Sequence, residues 1–99
     1  MREALLKIIK HYGVNAQQRQ FAEEVFELQE AITQYEEPRR YCSTEHIAEE
    51  ITDVMCLLFQ FSEYYNIDAN DISKTLAYKI KRQLERIKNE VKELGWLDE

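Results

Sequence analysis

Residues that form tight turns are scarce in this chain. Its 99 residues include two glycines and one proline. Strand connections draw heavily on Gly, Pro and Asn-Gly turns, so this supply argues against an all-β or α/β fold. Long helices separated by a few short breaks need far fewer turn residues. We therefore expect an all-α fold, and 99 residues leave room for one domain spanning residues 1–99.

Cysteines and long apolar runs are also few. Cys42 and Cys56 are too few for a disulfide scaffold and form no CxxC motif. The longest apolar run is the six residues 54–59, whereas a membrane helix needs about 20. The charged first residues lack the apolar stretch of a signal peptide. We expect a cytoplasmic protein with free thiols and no membrane partner.

Positive charge is in deficit over the whole chain. Nineteen acidic residues face 13 Lys and Arg, which gives a net charge of −6. A protein that binds DNA or RNA without sequence preference needs a basic surface to displace counterions from phosphates. The charge balance therefore argues against a nucleic-acid polymer as partner. With 44% hydrophobic and 32% charged residues, the composition is that of a globular chain.

Breaker and capping residues predict four helices. The first ends at Gly13, the second begins after Asn15 as N-cap, and Pro38 breaks it. A third helix begins after Ser43 or Thr44, and a fourth begins after Asp68 or Asn70 and ends at Gly95. The expected architecture is a bundle of four helices.

Apolar residues recur at helical spacing in each segment. In the second helix we expect them to form a buried stripe, which consists of Phe21, Val25, Leu28, Ile32 and Tyr35. The corresponding stripe of the third helix consists of Ile47, Ile51, Val54, Leu58, Phe61 and Tyr65. Met55 and Phe59 lie off that stripe, so the third helix is apolar over most of its circumference. We expect a second copy of the chain to cover the apolar side chains that lie off the stripe, in a homodimer or a dimer of dimers. The alternative is that these side chains fill the core of a monomer.

Paired acids stand beside the apolar stripes. The second helix carries Glu24 and Glu27, the third carries Glu50 and Asp53, and residues three apart are neighbours on a helix. If the two helices pack antiparallel, four carboxylates meet in a small volume and repel one another unless a cation lies among them. A solvated acidic face is the alternative, because such pairs also arise by chance among 19 acids.

Oxygen ligands of this kind suit hard ions, so we expect Mg²⁺, with Mn²⁺ as a second possibility. A di-iron bundle would require Glu-x-x-His on its helices. Neither His11 nor His46 stands three residues after a Glu, which argues against di-iron.

The fourth helix carries the opposite charge. Between Lys74 and Lys92 it has seven Lys or Arg and two Glu, a net of +5, so the rest of the chain carries −11. Lys79, Arg82 and Arg86 lie on or near one face, where a cationic surface could neutralise a polyphosphate. A solvated helix explains this poorly, because Arg82 and Arg86 are like charges four residues apart.

The two acidic motifs carry a resemblance to a known family. Glu24-x-x-Glu27, followed after 22 residues by Glu50-x-x-Asp53, resembles the metal motif of the all-α nucleoside triphosphate pyrophosphohydrolases, the MazG-like group. The flanking segments 23–28 and 47–54 and the basic stretch 78–86 are also similar, so the resemblance covers about residues 10–88.

The resemblance implies a metal-dependent enzyme. It implies that Glu24, Glu27, Glu50 and Asp53 bind Mg²⁺, and that a nucleoside triphosphate is hydrolysed to the monophosphate and pyrophosphate. It makes Lys79, Arg82 and Arg86 candidates for phosphate contacts. The alternative function is a helical dimerisation or regulatory module without turnover, and whether Glu23, Glu49 or Gln83 take part stays open.

Overall fold

Four helices account for the regular structure of the residues that the structure describes. The computed structural model describes residues 1–39 and 41–95. The helices are α1 (Arg2–Tyr12), α2 (Val14–Glu36), α3 (Thr44–Tyr64) and α4 (Ala69–Glu93), and these described segments contain no strand. The predicted all-α fold class is therefore confirmed. No helix in the described segments is long and apolar enough to cross a membrane.

The helix ends follow local chemistry. α1 ends at Gly13, whose φ of 89° lies in the region that glycine adopts readily, and α2 begins at the next residue. Asn15 therefore lies inside α2, and its prediction as the N-cap is wrong. Ser43 caps α3 by accepting a hydrogen bond from the His46 amide at 3.1 Å. Asp68 caps α4 by accepting one from the Asn70 amide at 2.7 Å.

The first compact unit, Met1–Asn66, contains α1, α2 and α3. In it α3 packs against both α1 and α2. The fully buried Ile9 anchors α1, and Arg2 pairs with Glu63 near the end of α3 at 2.7 Å. Phe21 of α2 meets Phe61 of α3 edge to face, with ring centroids 5.8 Å apart.

A buried amide pair defines how α2 and α3 align. Gln17 Nε2 donates to Gln60 Oε1 at 2.8 Å, and Gln60 Nε2 donates to the sulfur of Cys56 at 3.5 Å. The first turn of α2 thus lies beside the last turns of α3, so the two helices run antiparallel. Because a buried amide without a partner costs about 1–3 kcal/mol, this pair favours one register over its neighbours.

The buried faces of α2 and α3 agree with the predicted stripes only in part: Phe21, Leu28, Tyr35, Ile47, Val54 and Phe61 are half-buried as expected. On α2 the series of buried or half-buried side chains at steps of four and three consists of Gln17, Phe21, Glu24, Leu28, Ala31 and Tyr35; Val14, Ala16 and Gln34 are half-buried as well. On α3 they include Ile47, Glu50, Val54, Leu57 and Phe61. The predicted core residues Val25, Ile32, Ile51, Leu58 and Tyr65 are exposed instead.

The second unit begins at Ile67 and contains α4. This helix is amphipathic, and none of its described residues is buried. The exposed apolar side chains at steps of four and three are Ile72, Leu76, Ile80, Leu84 and Ile87. The predicted single domain over residues 1–99 extends beyond the described residues and stays a prediction.

Candidate metal centre

The two predicted ligands of α2, Glu24 and Glu27, lie near the middle of the helix. Glu24 occupies the same buried face as Phe21 and Leu28, so its carboxylate enters the contact between α2 and α3 and is half-buried. Glu27 follows three residues later and is exposed. One acid thus lies within the helix contact and the other at its edge.

The antiparallel register brings an acid of α3 to the same place. Glu50 is buried, with 9% of its surface exposed. Among the described residues, carboxylate oxygens of Glu24, Glu27 and Glu50 lie within 4.8 Å of one another. Three of the four predicted ligands therefore meet in one group, which we call the acid cluster. Asp53 is exposed on α3 and lies outside it.

The acid cluster leaves two buried oxygens without a hydrogen bond, Glu24 Oε2 and Glu50 Oε2. The other oxygen of Glu24 accepts a hydrogen bond from Gln20 Nε2 at 2.8 Å. Burying a carboxylate oxygen without a partner is unfavourable, and burying two beside a third acid adds charge repulsion. A cation would satisfy both oxygens and offset that repulsion.

The neighbouring negative charges also affect the pKa of Glu27. The charge on Glu24 raises the pKa of Glu27 above its ordinary value of 4.5, and desolvation and the charge on Glu50 raise it further. Without a cation, this part of the molecule therefore holds a proton more readily than an isolated glutamate does.

The donor set indicates which cation would fit. The three grouped ligands are carboxylates, and hard divalent ions such as Mg²⁺ and Mn²⁺ prefer oxygen ligands of this kind. The two buried oxygens without a hydrogen bond, Glu24 Oε2 and Glu50 Oε2, could serve as ligand atoms for such an ion. The acid cluster thus fits a divalent cation held between two antiparallel helices.

Comparison with known families agrees with this geometry. The model of the MazG nucleotide pyrophosphohydrolase domain matches residues 14–88. The chain belongs to the MazG nucleotide pyrophosphohydrolase family. The match includes all of α2 and α3, and so every acid of the cluster. No curated protein and no solved structure matches the chain.

Membership of the MazG family supports two general statements. The domain is associated with nucleotide pyrophosphohydrolase activity, so a nucleotide is the class of substrate that agrees with the family. The family is generally metal-dependent, and the acid cluster supplies residues that could hold a metal.

The predicted phosphate contacts lie together on α4, inside the part of the chain that matches the MazG family. Lys79, Arg82 and Arg86 line one surface depression, and Gln83 completes it. Their spacing of three, four and seven residues places them on one side of the helix, as the sequence indicated. Their role in binding phosphate stays a prediction.

Two residues beside the acid cluster were not identified from the sequence. Gln20 bonds to Glu24, and His46 Nε2 lies 3.7 Å from Glu50 Oε1. Each stands four residues before the acid it contacts, and that spacing was the signal available in the sequence. The Glu-x-x-His spacing of di-iron sites does not cover a histidine that precedes its acid, as His46 does.

Proposed function

We propose that this MazG-family chain hydrolyses ribo- or deoxyribonucleoside triphosphates to the nucleoside monophosphate and pyrophosphate, with Mg²⁺ as the cofactor. The observation that supports this most directly is the acid cluster with its two unpaired buried oxygens. Such a group is costly to maintain unless it binds a cation. The family match supplies the class of reaction.

In this proposal Glu24, Glu27 and Glu50 hold the ion. Asp53 lies outside the acid cluster but stands one helical turn after Glu50 on the same helix, and its exposed side chain would complete the ligand set by turning towards the ion. Gln20 orients Glu24 by its hydrogen bond, which leaves the second oxygen of that carboxylate for the ion. When bound, Mg²⁺ would activate the attacking water and offset negative charge on the phosphate oxygens.

The basic side chains of α4 have a separate task. Lys79, Arg82 and Arg86 bind phosphate oxygens and neutralise charge on the leaving pyrophosphate. Water adds to the α-phosphorus, and the bridging bond between the α- and β-phosphates breaks. The products are one monophosphate and one pyrophosphate, with no free orthophosphate.

A substrate panel tests the proposal. The purified protein is incubated with the common NTPs and dNTPs plus Mg²⁺, and products are quantified by ³¹P NMR. We expect equal amounts of monophosphate and pyrophosphate from at least one nucleotide. Glu50→Gln should lower kcat/KM by about 100-fold or more, because losing a ligand should cost at least what losing a ligand's hydrogen-bond partner costs. Glu45→Gln, an exposed acid in the first turn of α3, is the matched control and should keep full activity.

A second set of variants tests the basic residues that line the depression on α4. Arg82→Ala and Arg86→Ala should each lower kcat/KM about 10- to 100-fold, since a hydrogen bond to a charged group contributes about 1.5–3 kcal/mol. Lys88→Ala removes a charge from α4 outside the depression and should have little effect. If the folded wild-type protein hydrolyses no nucleotide, the enzyme proposal is wrong. A dimerisation or regulatory module would then explain the chain better.

A further inference from the structure

Two depressions with different linings lie along α4. The first, which we call the apolar depression, has a volume of about 380 Å³ and is lined by Ile67, Asp71, Ile72, Thr75, Leu76 and Lys79. The second, which we call the basic depression, is lined by Lys79, Arg82, Gln83 and Arg86. Because Lys79 belongs to both linings, the two depressions adjoin each other.

Helix geometry places both depressions on one side of α4. Asp71, Thr75, Lys79 and Gln83 recur at steps of four, and such residues follow one another along a helix face. Arg86 stands 11 positions after Thr75, which corresponds to about three helical turns, or about 16 Å. An elongated ligand that lies along this side of the helix therefore contacts both depressions.

The distribution of charge gives this surface a direction. The basic depression has three cationic side chains, which suit the oxygens of phosphate groups. The acid among the residues that line the apolar depression is Asp71, at the end away from Arg86, and its carboxylate repels phosphates. A ligand with phosphates at one end therefore binds with its uncharged end in the apolar depression.

The apolar depression has the size and lining of a site for a small organic group. Such sites have volumes of about 300–1,000 Å³ and combine apolar walls with a few polar groups. Ile72 and Leu76 supply an apolar surface for a flat base, and the Thr75 hydroxyl and the Asp71 carboxylate supply hydrogen-bonding groups for a sugar. A nucleoside matches both features, whereas a phosphate group matches neither.

We propose that the apolar depression binds the nucleoside part of the substrate, with the phosphates extending past Lys79 into the basic depression. This inference rests on the proposed function, which assigns the phosphates to Lys79, Arg82 and Arg86. It adds the place where base and sugar bind. It also gives the surface of α4 a means of selecting a nucleotide over an inorganic polyphosphate.

Methyl NMR of the whole chain tests this placement. The α,β-methylene analogues of ATP, CTP, GTP and UTP, and inorganic tripolyphosphate, are titrated separately in the presence of Mg²⁺. We expect at least one analogue to shift the methyl signals of Thr75 and Leu76, because an aromatic base beside them changes their magnetic environment. Tripolyphosphate should shift the side-chain signal of Arg82 and leave both methyl signals unchanged. The control is Ile9, which is fully buried on α1 and should respond to neither ligand.

A pair of leucine variants separates the nucleoside from its phosphates. Leu76→Ala shortens a wall of the apolar depression, and Leu94→Ala makes the same change at the C-cap of α4, outside both depressions. The two leucines are 57% and 60% exposed, so their truncation should affect the fold similarly. By calorimetry we expect Leu76→Ala to weaken binding of the analogue about 5- to 10-fold, from lost apolar contact, and binding of tripolyphosphate less than about twofold. Leu94→Ala should bind both ligands like the wild type.

The outcomes distinguish this inference from the proposed function. If an analogue binds without shifting Thr75 and Leu76, or if tripolyphosphate shifts them equally, the inference is wrong. Equal effects of Leu76→Ala on both ligands, or no effect on the analogue, would overturn it as well. In each of these cases hydrolysis of a nucleotide at the acid cluster can still hold. If the wild type neither binds an analogue nor hydrolyses a nucleotide, both proposals fail.

Discussion

Glu24 and Glu50 stand at positions where the helix pattern would ordinarily place apolar side chains. On α2, Glu24 lies three residues after Phe21 and four before Leu28, and all three side chains are half-buried. On α3, the buried Glu50 lies seven residues, or about two helical turns, before the buried Leu57. A stripe drawn through apolar residues alone passes over such positions and selects exposed ones such as Val25. Buried acids break the usual hydrophobic pattern, and functional sites are where such breaks are expected.

The protonation of Glu27 gives a prediction at the same scale. Because neighbouring acids raise its pKa above 4.5 in the folded chain, the unfolded chain loses this proton first as the pH rises. The contribution of Glu27 to the free energy of unfolding is therefore greatest at low pH and falls as the pH passes from 4.5 through the raised pKa. Glu27→Gln removes this loss.

Thermal unfolding in EDTA shows whether Glu27→Gln raises or lowers the stability of the fold. We expect Glu27→Gln to have a higher Tm than the wild type at about pH 7, and the difference to disappear below about pH 4. Millimolar Mg²⁺ should reverse the order, since a bound ion stabilises the wild type through a ligand that the variant lacks. A lower Tm for the variant at about pH 7 in EDTA would contradict the described charge crowding.

At the scale of helices, one glycine separates α1 from α2. Gly13 has φ 89° and ψ 148°, and its N–H donates to Ile9 O at 2.8 Å while its carbonyl accepts from the Gln17 amide at 3.1 Å. One residue thus caps two helices. This backbone conformation is close to one found almost only in glycine.

Substitution of this glycine should be costly for conformational reasons alone. Gly13→Ala meets no atom within 4 Å, so steric crowding by other residues is absent. We expect a loss of about 1–3 kcal/mol in the free energy of unfolding from the strained φ and ψ. Asn15→Ala is the control: inside α2 it should change stability by less than about 0.5 kcal/mol, whereas an N-cap would lose about 1 kcal/mol. Urea denaturation measures both.

At the scale of the whole molecule, the apolar core is small. In the described segments, three apolar residues are buried, Ile9, Ala31 and Leu57. Exposed apolar side chains remain on α3, including Met55 and Phe59, and the apolar side of α4 is exposed as well. Large exposed apolar surfaces often mark contacts between protein chains, so the homodimer or dimer of dimers expected from the sequence stays a prediction.

Light scattering after size exclusion tests the proposed assembly. At micromolar concentration we expect a mass of about two or four times the 11.9 kDa of one chain. Leu84→Glu places a charge in the exposed apolar row of α4 and should shift the mass towards the monomer, whereas Asn89→Glu, outside that row, should not. A wild-type protein that elutes as a stable 11.9 kDa species would overturn the proposal.

The sequence by itself determined the helical class, the number of helices and most of their ends. These features depend on the residues close to each position in the sequence. Turn residues are scarce, Gly13 and Pro38 interrupt the helices, and Ser43 and Asp68 cap α3 and α4. Two acidic motifs, each with its two acids three positions apart, were also visible, because helix geometry makes such residues neighbours. Local chemistry was enough for each of these predictions.

Only the tertiary structure decided which face of each helix is buried and which acids meet. The antiparallel register held by Gln17 and Gln60 brings Glu50 to Glu24 and Glu27, and it leaves Asp53 exposed outside the cluster. A difference of one position rotates a side chain by about 100° around a helix, so apolar periodicity could not choose between Val25 and Glu24. That choice depends on contacts between residues distant in the sequence, and those contacts form only when the helices pack.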